Sequence, residues 1–186
     1  MRKQKGFSLI ELLIVVAIIL IIAAIAIPNL LRSKMSANDS AAASTLRTLN
    51  TGQVTYATNY PSWGYADSFI KLGPNPVAGT TDPVTGAGLI DSVLAASANG
   101  PNLKSGYNYL IAGVAGPTGN FGDYVLAAQA SIIGSTGTNN YCSTAEAVVR
   151  SMKNSFPTAT PNPAQLNAIP AFAVCQTSAT YGPIQG

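Results

Sequence analysis

Apolar residues fill one stretch of the chain almost without interruption, then recur at helical spacing in the next. From Phe7 to Ile27 the single charged residue is Glu11. A helix of that length spans about 30 Å, the thickness of one bilayer core. Beyond Pro28, the residues Leu31, Met35, Ala42, Leu46, Leu49, Tyr56 and Tyr60 follow at spacings of three, four and seven. Ser, Asn, Thr, Asp39 and Arg47 lie between them. The pattern predicts one long helix over 7–58, apolar all round in its first half and one-sided in its second. Pro28 at most kinks this helix, and Pro61 ends it. The first half must be covered by lipid or by other copies of itself, and the second packs a globular domain along one face.

After Tyr60 the texture changes. Residues 61–105 are rich in Gly, Pro, Asn, Thr and Ser, with short apolar patches such as 68–72. Within them, 90–98 reads as a short helix, capped by Asp91 and stopped by Asn99-Gly100-Pro101. The runs 107–112 and 123–130 flank turn residues Gly116 to Asn120 and predict an antiparallel hairpin. A second pair is 140–142 with 148–151. Its connection is 143–147; the stretch 143–150 contains Ala-Glu-Ala and could read as a helical turn, but the β-branched run into Arg150 favours strand, turn, strand. Residues 152–186 hold five prolines and read as an irregular tail.

Charge sharpens the picture. Charged residues make up only 9% of the chain, against a usual value of about 25%. The formal net charge is +3, and three of the ten basic residues, Arg2, Lys3 and Lys5, precede Gly6. Without residues 1–6, seven Lys/Arg face seven Asp/Glu. A near-neutral surface does not repel its own copies, and it lacks the clustered cations a nucleic-acid surface needs. Cations ahead of an apolar run hold the N-terminus in the cytoplasm.

Three readings of the N-terminus compete. Ala24-Ile25-Ala26 offers a signal-peptidase site, the apolar run could be a plain anchor, and Lys5-Gly6-Phe7-Ser8-Leu9-Ile10-Glu11 resembles the type IV prepilin signature. In that family a prepilin peptidase cuts after the glycine, and the apolar helix stays in the mature chain. The resemblance implies cleavage between Gly6 and Phe7, N-methylation of Phe7, and a helix kink at Pro28. It also implies that Glu11 pairs with the amine of a neighbouring Phe7 during assembly. A carboxylate in an apolar helix costs roughly 2.5–3.5 kcal/mol at mid-bilayer, so an ordinary anchor has no use for Glu11. Ser8-x-x-Glu11 also fits a capping box, a purely local role compatible with the first. The helical pattern runs on past Ala26, which argues against an ordinary signal peptide.

The expected fold class is therefore α+β: a long N-terminal helix packed on a three- or four-stranded antiparallel sheet. The expected organisation is a removed leader (1–6), a transmembrane or filament-core half-helix (7–28) and a globular domain (29–186). That domain divides into helix (29–60), a loop between helix and sheet (61–105), sheet (106–151) and a C-terminal loop region (152–186). Many pilins tether such a C-terminal loop by a disulfide. Cys142 and Cys175 are the two cysteines available, with a pair of free buried thiols as the other reading.

No catalytic constellation is visible, and no cofactor is expected. The chain has no histidine, and its two Glu and five Asp are scattered. Asp82 and Asp91 flank a Gly-rich loop; they read as turn formers before they read as calcium ligands. Asn38-Asp39-Ser40 matches a glycosylation sequon but lies on the predicted helix, and Thr158 and Thr160 are compositional candidates for O-glycans. Tyr56, Tyr60, Trp63 and Tyr65 predict packing of the loop on the helix end. The resemblance implies a structural subunit of a type IV pilus for adhesion, motility or DNA uptake. Its alternatives are a type II secretion pseudopilin and a minor pilin or adhesin. Implied partners are other copies of the chain, prepilin peptidase, the inner-membrane assembly machinery and, before assembly, membrane lipid. No nucleic-acid binding is expected. The implied locations are the inner membrane, then an extracellular pilus or periplasmic pseudopilus.

Overall fold

The computed structural model describes residues 7–96, 102–116, 120–153, 175 and 182–183. Helix α1 runs Leu9–Asn59, continuous through Pro28. The chain divides into two compact units, 1–34 and 35–186. In the first, every described side chain is exposed except the half-buried Ala23.

The second unit is built on α1 from Met35 onward. There Ala42, Ala43, Leu46, Leu49 and Tyr56 enter the core at the three- and four-residue spacing of one helix face. The stripe is shorter than its sequence suggested. Leu31 remains exposed and Met35 half-exposed, because the sheet begins to cover the helix only near residue 38.

The sheet is antiparallel throughout, in chain order: β1 (Asn102–Lys104), β2 (Tyr107–Ala115), β3 (Phe121–Ala130), β4 (Asn139–Thr144), β5 (Arg150–Lys153) and β6 (Gly182–Pro183). The α+β class and the helix-on-sheet layering stand as expected, but the sheet is wider than three or four strands. β1 lies in what reads as loop. It joins β2 through Ser105-Gly106, both at positive φ, the geometry of a two-residue hairpin turn. Serine in that role hides the hairpin from a search for Asn-Gly or Asp-Gly. The 143–150 ambiguity resolves to strand, turn, strand, with Cys142 opposite Arg150.

Alternation along the strands faces Tyr107, Tyr109 and Ile111 of β2, and Tyr124, Leu126, Ala128 and Ala130 of β3, towards the helix. On the opposite sheet face, Val125, Ala127 and Cys142 are also buried. Cys142 is bonded there to Cys175. A loop of this size closed by a disulfide stabilises the fold by roughly 3–4 kcal/mol in the chain-entropy account. The rest of the expected 152–186 tail, apart from β5 and β6, lies outside the described residues.

The loop between helix and sheet is more structured than its composition implies. A short helix α2 (Phe69–Leu72) buries Phe69 and Leu72. Gly64, at φ 71°, lets Trp63 to Tyr65 lie directly against the start of β3, where a Cβ would collide with the Phe121 carbonyl. In the described part of the expected helix over 90–98, residues 90–96, a single turn forms at 92–95, with Asp91 Oδ1 accepting from the Val93 and Leu94 N–H groups. Asn99-Gly100-Pro101, its expected stop, lies outside the described residues.

Polar side chains inside the helical stripe fix how helix meets sheet and loop. Gln53 is fully buried and exchanges two bonds of 2.8 Å with the backbone of Ala66. Asn50 donates to Ser143 Oγ and accepts from the Tyr124 hydroxyl. Asp39 accepts from Thr138 N–H, Thr138 Oγ1, Asn139 Nδ2 and the Tyr107 hydroxyl. Each of these buried or half-buried groups is matched, so each favours one seating of the helix.

Gln53→Leu leaves the Ala66 N–H and C=O buried without partners, and a destabilisation of about 2–4 kcal/mol is expected. Urea denaturation of the detergent-solubilised chain checks it; a loss under ~1 kcal/mol would contradict the assignment. The buried tyrosines predict an alkaline limit. Burial, then the Asp39 hydrogen bond, raises the Tyr107 phenol well above its ordinary value, and burial raises Tyr124. Tyr56 is pushed up to about 12, by burial first and the Asp67 charge second. Unfolded tyrosines release their protons near pH 10. The unfolded state therefore loses protons first, and stability present below about pH 10 declines as pH rises from there through 12. The urea midpoint should fall over that window, with the share of tyrosinate absorbance due to Tyr56, Tyr107 and Tyr124 appearing as the chain unfolds.

Candidate functional site

The feature that demands a function is the first half of α1. Phe7, Leu9, Ile10, Leu12, Leu13 and the other large apolar residues through Leu31 are between 46% and 87% exposed. The segment is long and apolar enough to cross a membrane, by length and composition. Monomeric soluble proteins rarely show contiguous apolar patches above a few hundred Å². This patch goes round the whole helix, so no single partner face covers it.

The helix start is built locally. Ser8 N–H donates to Glu11 Oε2 at 2.9 Å, and Ile10 N–H reaches Ser8 Oγ at 3.4 Å. This is the capping box, which satisfies two of the free N–H groups at the helix start. It also draws the carboxylate towards the N-terminal end of the helix. Glu11 thus stands one turn from Phe7, whose ring is 87% exposed. Gly6 lies outside the described residues.

Of the other candidates, Pro28 falls inside α1, and Cys142 and Cys175 are joined. Asp82 Oδ1 accepts from the Val84 and Thr85 N–H groups. Those backbone bonds, Thr85 first, hold its carboxyl below the usual range. Asp91 caps its turn and pairs with Lys104. Both acids therefore serve turns, and no group of three potential metal ligands occurs among the described residues. Asn38 spends its side-chain amide on Thr136 O at 2.7 Å. Thr158 and Thr160 lie outside the described residues.

The aromatic group at the helix end does pack the loop, in two parts. Tyr56 meets Tyr60, with ring centroids 5.1 Å apart, while Tyr65 meets Tyr124 at 4.9 Å. Trp63 instead shares Lys71 with Phe121, the ammonium standing 5.5 Å from each ring. Sequence reasoning missed Gln53, Asn50 and Asp39 as packing residues. The available signal was that Asn50 and Gln53 fall on the same helical face as Leu46, Leu49 and Tyr56.

A family model for the prokaryotic N-terminal methylation motif matches residues 1–27. The chain is 38% identical over 109 residues to the type IV wide pilus major component PilA4 of Thermus thermophilus, covering 58% of this chain and 77% of that one. It is 40% identical over 77 residues to the type IV major pilin protein PilA of Myxococcus xanthus, covering 41% of this chain and 34% of that one. No solved structure matches the chain.

Proposed function

The chain belongs to the type IV pilins, and from that membership we propose that it is the repeating subunit of a type IV pilus, released by a cut after Gly6. The observation that carries this reading is the first half of α1, apolar on every side and exposed on every side. A bilayer covers such a surface before assembly, and a bundle of identical helices covers it afterwards. Two relatives named as major pilus components favour a bulk subunit.

The cut has two physical consequences. It removes Arg2, Lys3 and Lys5, leaving seven basic and seven acidic residues. It also creates an amine at Phe7, a methylation target, one turn from Glu11. In the membrane, the Ser8 N–H bond keeps Glu11 oriented towards the helix start. In the filament, the Phe7 amine of a neighbouring copy supplies the opposite charge, which a buried carboxylate requires. The subunit passes from the inner membrane, through prepilin peptidase and the assembly machinery, to an extracellular fibre serving adhesion, motility or DNA uptake.

Two substitutions separate processing from assembly. Gly6→Ala should leave uncut precursor in the membrane and no chain in sheared fibres. Glu11→Val should be cut normally yet yield at least about tenfold fewer fibres, because the amine is then buried without its partner. Immunoblots of membrane and sheared fractions read both outcomes. Normal cutting of Gly6→Ala, or a full fibre yield from Glu11→Val, would overturn the respective step.

A further inference from the structure

Two cations follow directly on the apolar run. Arg32 and Lys34 are exposed, and both belong to the first compact unit. The ion pairs among the described residues are Lys71–Asp67, Lys104–Asp91 and Arg150–Glu146, so neither cation takes part in one. The acids elsewhere on α1 are engaged: Glu11 by Ser8, and Asp39 by Thr138 and Asn139. These exposed cations, with no acidic partner among the described residues, stand at the end of a membrane-length apolar surface and are free to bind an anion from outside the chain.

Distance along the helix identifies that anion. Phe7 to Leu31 rises roughly 37 Å. A hydrocarbon core is about 30 Å thick, and about 40–45 Å with its headgroups. With Phe7 at the inner headgroup level, Arg32 and Lys34 therefore emerge at the outer one, among lipid phosphates. Their flexible stems reach that level from apolar surroundings. We infer that Arg32 and Lys34 form a phosphate-binding collar for outer-leaflet lipid headgroups, fixing the depth of the subunit before assembly. The collar gives leader removal a directional meaning. Before the cut, Arg2, Lys3 and Lys5 anchor the inner end against two cations outside. After it, the inner end keeps only the amine, and Arg32 and Lys34 are the cations left beside the apolar run, on the side from which the subunit leaves.

The inference rests on the reading of residues 7–31 as membrane-held before assembly. The test uses the full chain carrying Ile27→Cys, whose thiol is the one left to label because Cys142 and Cys175 bond each other. A fluorophore on that thiol, in vesicles of phosphatidylglycerol and phosphatidylcholine, reports depth through quenching by nitroxide lipids. With Arg32→Gln and Lys34→Gln together, the label should sink by about 5 Å, one helical turn. Arg32→Lys should hold the depth of the parent chain. Equal depth for the parent and the double variant would overturn the collar. Release of the parent's depth by inorganic phosphate in the buffer would show a soluble-anion site and overturn the lipid assignment. Unchanged depth with loss of sheared fibres would assign the cations to a second copy instead. Failure of the parent chain to enter vesicles at all would remove the membrane-held reading itself, and the collar with it.

Discussion

An apolar helix surface that closes on itself needs cover on every side. A one-sided helix finds its cover in its own domain, as α1 does from Ala42 to Tyr56. The stretch before it has no bare side and no covered side. It therefore needs an environment that surrounds it, and lipid and a bundle of like helices are the two that do. On the function proposed above, a cut ahead of Phe7 would suit passage from one environment to the other, since it would leave seven basic and seven acidic residues and a new amine near Glu11.

The passage puts opposite demands on the two halves of α1. On the proposed function the first releases one set of surroundings and takes up another, and its surface is apolar almost throughout. The second must carry a domain without slipping, and there directional contacts recur: the Gln53 pair with Ala66, the Asn50 link to Ser143 and Tyr124, and the Asp39 cluster. Apolar packing alone tolerates small slides of a helix over a sheet. Buried amides do not, because a shift leaves them unsatisfied. On the far face of the sheet, the Cys142–Cys175 bond ties the end of the chain to β4.

The helix was legible because its signal is periodic and long, and its observed bounds fall within two residues of those expected. The hairpin of β2 and β3 was legible from alternation around turn residues. What stayed hidden depends on contacts distant in sequence. β1 is three residues long and turns on serine, so neither periodicity nor turn chemistry marks it. The turn at 92–95 resembles a helix locally but is too short to propagate. Gln53 falls on the core face by spacing, but its partner is fixed only when Ala66 is folded against it. At the helix start, the Ser8-x-x-Glu11 capping box was legible from motif spacing, and the bond from Ser8 N–H to Glu11 bears it out.

The most direct test of the account is the intact mass of the chain recovered from sheared surface fibres. The account predicts a chain that begins at methylated Phe7, retains the whole apolar helix and is lighter by two hydrogens for the disulfide. A chain beginning at Ile27 would contradict it, because the surface on which assembly depends would then have been discarded before the filament formed.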